Sequence, residues 1–397
     1  MKNISEISHC YGCGVCSASC PKHIISMKLD KDGYYEATIQ DQSKCIECGI
    51  CLEVCAFNHN ECANQANEIC SWAAWSNNDV LRKKCTSGGI AFEIGKQLIE
   101  KGYKAIGCRY NIEMQRAEHF IAETIEEYTQ SIGSKYIQSF TENAFRKIDR
   151  KQKYFITGTP CQIDSLCRMI QKYKCEDNFI LLDFFCHSIP SMHVWHAYMN
   201  LVKDKVGNVT YASWRNKYDY GWHHNCVMGI DGTLTSNPVN WNQKFEDLIK
   251  EHRCSYVGRL EDSDLFWKMF LGNFIVAPHC QQQCKYKYKN SSADIRVGDL
   301  WGETYRNNEE GVSGVVTFTK RGYDVVKSLT GVTLKEHPFE VIAEGQKRTN
   351  VHARVLSPLL LLCLRKHHTF TNIPFRFFYN LQRLINVVAK RIKLFML

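Results

Sequence analysis

Two cysteine-rich runs near the start of the chain carry the residues whose type and spacing are best suited to chemistry. Both runs have the spacing C-x2-C-x2-C-x3-C. The cysteines of the first run are Cys10, Cys13, Cys16 and Cys20. Those of the second run are Cys45, Cys48, Cys51 and Cys55. Three closely spaced thiolates can surround one 4Fe–4S cube, so the doubled spacing predicts two such clusters.

In this arrangement the last cysteine of each run crosses to the other cluster, as in bacterial two-cluster ferredoxins. We therefore expect one ligand set of Cys10, Cys13, Cys16 and Cys55. The other set is Cys45, Cys48, Cys51 and Cys20. Zinc is disfavoured because a tetrahedral site needs two C-x2-C pairs for each ion and not a triplet with a distant fourth ligand. A disulfide framework needs an exported chain, and residues 1–8 lack the apolar core of a signal peptide.

The formal charge of +9 on the 397 residues is concentrated at one end. No acidic residue follows Glu344, whereas ten basic residues do. They are Lys347, Arg348, Arg354, Arg365, Lys366, Arg376, Arg383, Lys390, Arg391 and Lys393. Residues 1–344 hold 40 basic and 41 acidic groups and are close to neutral. This distribution argues against nucleic-acid binding, and it favours an anionic membrane surface or an acidic partner for the tail.

The longest apolar run, near residues 359–364, is far too short to cross a bilayer. We therefore expect a cytoplasmic protein that is soluble or bound peripherally to a membrane. The predicted organisation is a dicluster module at 1–60 and a connector at 61–80. An α/β body follows in two parts, 81–153 and 154–344, and a basic amphipathic helical tail occupies 345–397.

The body is predicted to be α/β because short apolar strands alternate with amphipathic helices. Residues 154–157 are predicted to form a strand, after which Thr159 suits the N-cap and Pro160 the first position of a helix. Residues 179–185 are predicted to form the next strand, which leads into Cys186. Residues just past the carboxyl ends of strands line the ligand crevice of an α/β sheet. Cys161 and Cys186 are therefore expected to face a site.

A small polar segment, Thr86, Ser87, Gly88 and Gly89, precedes a predicted helix that begins near Ile90. Hydroxyls and glycine amides at a helix N-terminus favour phosphate, and the neighbouring basic residues add positive charge. A plain N-cap followed by a tight turn accounts for the same residues, and both interpretations stay open here. The segment is not a P-loop, because G-x-x-x-x-G-K-[ST] is absent.

In the order of its motifs the chain resembles the coenzyme F420 (deazaflavin) hydrogenase/dehydrogenase beta subunit family, over about residues 5–320. The motifs begin with the two cysteine runs. The later ones are Thr86–Gly89, Gly133–Tyr136, Gly158–Gln162, Cys186–His187 with Pro190–Ser191, the pair Cys280 and Cys284, and Gly298–Gly302. The chain departs from the family in the last pair, which is spaced C-x3-C here and C-x2-C there.

The resemblance implies a flavoprotein in which FAD lies between the dicluster module and the α/β body. Carried onto this chain, Thr86, Ser87, Gly88 and Gly89 would face the FAD phosphates. Gly158, Thr159 and Gln162 would approach the isoalloxazine ring or the ribityl chain. A third 4Fe–4S cluster is expected from four cysteines at turns that face the site. They are Cys161, Cys186, Cys280 and Cys284.

A flavin beside iron–sulfur clusters converts two-electron hydride chemistry to one-electron transfer. The resemblance thus implies an oxidoreductase with a deazaflavin, a ferredoxin or an organic substrate as its partner. The residues indicate no side-chain acid or base, and no G-x-G-x-x-G supports a nicotinamide site. The alternatives are an electron relay without flavin that serves a partner enzyme, for example in cell-surface polysaccharide synthesis, and a metal-stabilised scaffold without redox turnover.

Overall fold

The computed structural model describes residues 2–65, 67–235 and 238–395. The strands are β1 Ile25–Leu29, β2 Tyr35–Ile39, β3 Cys70–Ser76, β4 Lys104–Asn111, β5 Arg116–Ala122, β6 Tyr154–Thr157, β7 Phe179–Phe184, β8 Val209–Ser213, β9 Val227–Gly232, β10 Tyr256–Arg259, β11 Ile295–Asp299, β12 Ser313–Thr317 and β13 Val332–Glu336. The helices up to residue 206 are α1 Val15–Ser19, α2 Ile50–Glu53, α3 Asp79–Lys84, α4 Ile90–Glu100, α5 Ile125–Tyr128, α6 Glu142–Phe145, α7 Pro160–Tyr173 and α8 Met192–Val206. The later helices are α9 Phe245–Leu248, α10 Leu265–Leu271, α11 Pro278–Gln282, α12 Lys320–Lys327, α13 Phe339–Ile342, α14 Ser357–His367 and α15 Ile373–Phe395.

A mixed sheet with the strand order β13-β3-β12-β11-β7-β6-β4-β5 forms the centre of the body. Strands β4, β6, β7 and β11 pair in parallel, and antiparallel strands flank them on both sides. Helix α4 packs on one face of the parallel strands and α7 on the other. Because parallel strands are buried on both faces, their sequences are nearly continuous apolar runs. The α/β character predicted for the body is confirmed.

The turn from β6 into α7 forms as its local sequence predicts. Pro160 is the first helical residue, and a capping box joins Thr159 to Gln162, whose Oε1 accepts a hydrogen bond from the Thr159 backbone N at 2.9 Å. Ile163, Leu166 and Ile170 turn their apolar side chains into the core. This cap places Cys161 in the first turn of the helix, at the carboxyl end of the parallel strands.

Part of the expected connector belongs to the body. Residues 70–76 form β3, which pairs with β12 and β13 in the central sheet. Trp72, Ala73 and Ala74 are buried, with Trp72 and Ala74 in the core on one face and Ala73 in a core cluster on the other. A strand buried on both faces lacks polar alternation, and small residues further weaken its periodic signal.

The dicluster module docks on the body through the segment that precedes and includes α6. Gln138 accepts a hydrogen bond from the Tyr35 backbone N at 2.8 Å, and Glu142 accepts one from the Met27 backbone N at 2.7 Å. The Thr141 hydroxyl donates to the carbonyl oxygen of Cys13 at 2.8 Å. These buried polar contacts place the first cysteine run against the body.

The carboxyl-terminal helices α14 and α15 form a hairpin that packs against α8. Leu360 and Leu364 of α14 and Phe375 and Tyr379 of α15 join one core cluster with Trp195 of α8. Within the described ranges, no helix combines the length and the apolar character that a membrane span requires.

Candidate functional site

The eight cysteines of the two runs fall into two groups of four. Burial raises the pKa of the Cys16 thiol well above its usual value, and the neighbouring thiols of Cys13, Cys10 and Cys55 raise it further. In the second group, Cys20, Cys45, Cys48 and Cys51 line one shallow hollow. The groups therefore have the composition expected from the crossed arrangement of the two runs.

The donor set of these groups suits iron–sulfur clusters. Burial raises the pKa of Cys10 to about 11 and that of Cys55 to about 12, so the thiolate form is penalised without a compensating cation. Soft thiolate ligands select iron–sulfur clusters and related metals. Cys48 is exposed, whereas Cys10, Cys13 and the other members of their group are buried. The second group is therefore the one at the surface.

Four further cysteines meet at the carboxyl ends of β6 and β7. Cys161 is the second residue of α7, Cys186 follows β7, and Cys280 and Cys284 lie in α11 and just after it. All four line one cavity. Burial raises the pKa of Cys280, and the thiols of Cys186 and Cys284 raise it further. The C-x3-C spacing does not keep Cys280 and Cys284 apart.

The three groups follow one another in space. The thiol of Cys51 in the surface group is close enough to Cys16 to raise its pKa, after the larger effect of burial. In the same way Cys13 of the buried group raises the pKa of Cys161, where burial is again the main cause. In space, the three cysteine groups thus form a row from the exposed Cys48 to the wall of the cavity.

The cavity lies at the carboxyl ends of the parallel strands and has a volume of about 480 Å³. Pockets for small molecules and cofactors typically measure about 300–1,000 Å³. Among the residues predicted for flavin, it is lined by Thr86, Ser87, Gly89, Gly158, Thr159 and Gln162. The residues that the resemblance assigned to one cofactor are therefore brought to one space.

Gly88 is the member of the predicted cradle that does not line the cavity. Its backbone N donates to the Ser313 hydroxyl at 3.0 Å, and a Cβ at this position would overlap the carbonyl oxygen of Ala74. Gly88 is therefore a close-packing residue between β3 and β12, and its amide is not offered to an anion. The backbone groups of Ile90 and Ala91 at the start of α4 are better placed, because both residues line the cavity and the first amides of a helix lack intrahelical partners.

Polar side chains of the predicted set are partly engaged within the protein. The Ser87 hydroxyl donates to the carbonyl oxygen of Val312 at 2.8 Å, and the Thr86 hydroxyl accepts from the Ser134 backbone N at 3.0 Å. Gln162 donates through Nε2 to the Ser139 hydroxyl at 3.0 Å. These bonds join the cavity wall to β12, to the segment before Lys135 and to Ser139.

Two basic residues of the cavity wall had no role in the sequence interpretation. Lys135 donates from Nζ to the carbonyl oxygens of Gln130, Ser131 and Ile132 at 3.0–3.1 Å, and burial lowers its pKa to about 8. Arg215 is paired with Asp299. Lys135 lies in the Gly133–Tyr136 segment and Asp299 in the Gly298–Gly302 segment. The charged residues of these two motifs were therefore the signal in the sequence that could have predicted charge in the cavity wall.

Comparison with known proteins gives two family matches that together span most of the modules described above. Residues 151–339 match the family that represents the C terminus of the coenzyme F420 hydrogenase/dehydrogenase beta subunit, and residues 9–59 match the 4Fe-4S dicluster domain. No curated protein matches the chain. A solved chain from the F420-reducing NiFe hydrogenase complex of Methanosarcina barkeri, studied by xenon derivatization, is similar at 17% identity and a TM-score of 0.42, with 76% of this chain and 89% of that chain covered. The chain therefore carries a 4Fe-4S dicluster domain at residues 9–59 and, at residues 151–339, a region that matches the C terminus of the coenzyme F420 hydrogenase/dehydrogenase beta subunit.

Proposed function

We propose that this protein is an iron–sulfur flavoprotein oxidoreductase that couples hydride chemistry at FAD in the cavity to one-electron transfer through 4Fe–4S clusters. An iron–sulfur electron-transfer role follows from the family and from the dicluster domain. The flavin and its partners are the proposed part. The observation that carries the proposal is the succession of three four-cysteine groups from the exposed Cys48 to the cavity wall.

We assign different parts of the cavity wall to the phosphates and to the isoalloxazine ring of FAD. When bound, a flavin exchanges two electrons with a hydride donor and single electrons with a cluster. Phosphates would be held at the N-terminus of α4 beside Thr86, Ser87 and Gly89, where the helix dipole favours negative charge. The positive charge of Lys135 lies in the same wall.

The opposite part of the wall would receive the ring. Gly158 and Thr159 lie there beside Cys161, whose sulfur is 3.2 Å from the Thr159 hydroxyl. The four cysteines Cys161, Cys186, Cys280 and Cys284 are proposed to hold the third cluster. The side-chain amide of Gln162 is hydrogen-bonded within the protein through both its oxygen and its nitrogen. We therefore expect Gln162 to position the turn beside the ring, in addition to any contact with the flavin.

The proposed electron-transfer route runs from the cavity to the exposed Cys48, and a different kind of partner fits each end. A soluble hydride carrier, such as a deazaflavin, or an organic substrate would enter the cavity. A redox partner protein, such as a ferredoxin, would dock near the exposed Cys48 and Ile46, because one-electron transfer needs close approach to the outermost cluster.

The proposal is tested by anaerobic purification of the full chain followed by cofactor analysis. We expect flavin and iron–sulfur absorption together, with about twelve iron and twelve sulfide ions in each chain, since three cubes contribute four of each. Iron–sulfur bands without flavin would support the electron-relay alternative. A colourless, iron-free chain would contradict both.

A substitution that fills the cavity separates flavin binding from cluster binding. Thr86→Trp places a large ring in the cavity wall, and we expect it to lower the flavin content while the iron content stays constant. Ser328→Trp, an exposed substitution on the body surface, is the matched control. If Thr86→Trp retains full flavin, the cofactor does not occupy this cavity.

We also propose that α15 contacts an anionic membrane surface with its outer face. The inner face of this helix is docked, since Phe375, Tyr379 and Gln382 are buried. The outer face exposes a separate apolar stripe at helical spacing, formed by Ile373, Phe377, Leu384 and Val388. Exposed arginines at 376 and 383 and the lack of acidic residues after Glu344 favour an anionic bilayer.

Flotation with vesicles tests the membrane contact. Wild-type protein should float with vesicles that contain phosphatidylglycerol and less with neutral vesicles. The double substitution Phe377→Ser with Leu384→Ser should reduce flotation, whereas Leu234→Ser, which changes another exposed apolar side chain, should not. If the wild type does not bind anionic vesicles, the stripe has another role.

A further inference from the structure

Three histidines from distant parts of the chain meet beside the carboxyl-terminal hairpin. His193 and His196 lie one turn apart on α8, and His368 follows the last residue of α14. Each offers a ring nitrogen, and these nitrogens all lie within 4.8 Å of one another. No part of the proposed function uses these three histidines.

The hydrogen bonds of His193 leave one nitrogen in the form that binds a metal. Its Nε2 lies 3.0 Å from the carbonyl oxygen of Lys31, so Nε2 carries the proton and donates it. Nδ1 then keeps its lone pair, and it is buried without a hydrogen-bond partner in the described parts of the chain. Metal-binding histidines generally donate their other ring N–H to a carbonyl or carboxylate in this way.

His368 repeats the pattern of an unsatisfied ring nitrogen. Its Nδ1 is likewise buried, with no hydrogen-bond partner among the residues that the structure describes. Its backbone is held in place, because its carbonyl oxygen accepts a hydrogen bond from the side chain of Asn200 on α8 at 2.8 Å. Buried polar atoms are nearly always paired, so two unpaired nitrogens in one cluster call for a ligand.

A second group of potential ligands in the body lacks this property. Asp231, His252 and Cys254 also lie together. Both carboxylate oxygens of Asp231 are engaged, however, by His252 Nε2 at 2.7 Å and by the Ser255 backbone N at 2.8 Å. That group is a satisfied hydrogen-bond network and does not call for an ion.

We propose that His193, His196 and His368 bind one divalent transition-metal ion of the zinc class. Neutral imidazoles are suitable ligands for zinc, copper and nickel, and three of them leave a fourth position for water. At Zn–N distances of about 2.0–2.1 Å the ligating nitrogens stand roughly 3.4 Å apart in a tetrahedral site. The present separations of up to 4.8 Å would shorten to about that value when the ion binds.

The ion would join three parts of the molecule. His196 and His193 belong to the body, and His368 belongs to the carboxyl-terminal hairpin. The His193 ring also bonds to Lys31, in the turn between β1 and β2 of the dicluster module. An ion pair between Arg365 and Asp32 at 3.8 Å spans the same junction, and a partly exposed pair of this length contributes little. Metal binding would thus fasten the tail to the body and to the module.

Zinc binding to the anaerobically purified, cluster-loaded full chain tests the site. In equilibrium dialysis against Zn²⁺, we expect one zinc ion for each wild-type chain with no loss of iron. His196→Ala should weaken this binding by at least about tenfold, since one of three ligands is lost. His367→Ala removes the neighbouring exposed histidine and should leave zinc binding unchanged.

Hydrogen exchange provides a second measurement that does not depend on zinc counts. Zinc should slow amide exchange around residues 357–368 in the wild type and in His367→Ala, but not in His196→Ala or His368→Ala. Matching iron content and circular dichroism among the variants establishes that they are folded. The proposal is overturned if wild-type protein takes up no zinc beyond that of His196→Ala, or if zinc leaves exchange in the hairpin unchanged.

Discussion

The Sγ atom of Cys13 lies 3.2 Å from the hydroxyl oxygen of Ser165, a buried residue of α7. The same oxygen accepts a hydrogen bond from the backbone N of Ala56 at 3.1 Å. If iron holds Cys13 as a thiolate, the Ser165 hydroxyl is the group that carries a proton and donates it to the sulfur. Helix α7 therefore contacts the buried cysteine group one turn after it presents Cys161 to the cavity.

Ser165→Ala should lower the reduction potential of the cluster held by Cys13. A hydrogen bond to a cluster sulfur stabilises the reduced, more negative state, and its removal favours oxidation. A differential effect of about 1 kcal/mol corresponds to roughly 40 mV for one electron. Redox titration monitored by electron paramagnetic resonance measures the change. Ser165→Thr retains the hydroxyl and should keep the potential, as should the distant buried substitution Ser71→Ala. An unchanged potential in Ser165→Ala would show that this hydroxyl does not tune the cluster.

Cys186→Ala should reduce the iron content from about twelve to about eight ions for each chain, because it removes one ligand of the third proposed cluster. The two clusters of the amino-terminal runs should remain. Iron and sulfide analysis of anaerobically prepared protein provides the measurement. Cys70→Ala changes a half-buried thiol that belongs to no group and serves as the control. An iron content near eight in the wild type would refute a third cluster.

Arg296→Met should destabilise the body strongly. Arg296 on β11 and Asp183 on β7 are fully buried, and two hydrogen bonds of 2.7 Å join the guanidinium to the carboxylate. Removing the arginine leaves a buried carboxylate without its partner, which costs about 3–5 kcal/mol. The urea midpoint of anaerobic unfolding should fall accordingly. Arg306→Met breaks an exposed pair with Glu303 and should cost about 1 kcal/mol or less. Equal effects of the two substitutions would contradict this account.

The buried ring of His119 should make the protein less stable in mild acid. Burial lowers the pKa of His119 to about 4, from an ordinary value near 6.5, and its Nδ1 has no partner in the described part of the chain while Nε2 bonds to the carbonyl oxygen of Thr157. Between pH 6.5 and 4 the unfolded chain therefore binds a proton that the folded chain does not, so stability falls as the pH falls. From pH 7 to 5.5 this contribution amounts to about 1 kcal/mol.

His119→Gln isolates that contribution from the acid sensitivity of the clusters. The glutamine does not titrate, so the stability difference between wild type and variant should change by about 1 kcal/mol over the same pH interval. Anaerobic urea unfolding at several pH values supplies both curves. A difference that is independent of pH would mean that His119 takes up its proton equally in both states.

Much of the fold was predictable wherever the signal was local. The Thr159 cap, the buried face of α7 and the alternation of strands and helices depend on neighbours within one or two turns, and the structure confirms them. Strand β3 was missed because its burial on both faces depends on β12 and β13, which lie more than 200 residues later. Thr86, Ser87 and Gly89 of the predicted cradle line one cavity, whereas the direction of the Gly88 amide depends on Ser313.

The sequence by itself determined the dicluster domain of residues 9–59, because the spacing within a short run constrains which sulfurs can reach one cluster. The motifs also predicted that Cys161, Cys186, Cys280 and Cys284 face one site, but the physical cause of that grouping lies in the tertiary structure. The order of the parallel strands brings Cys161 and Cys186 to one edge, and α11 adds Cys280. Packing of the hairpin on α8 likewise places His368 beside His193. Contacts of this kind depend on strand order and helix packing across the whole chain, and no short spacing records them.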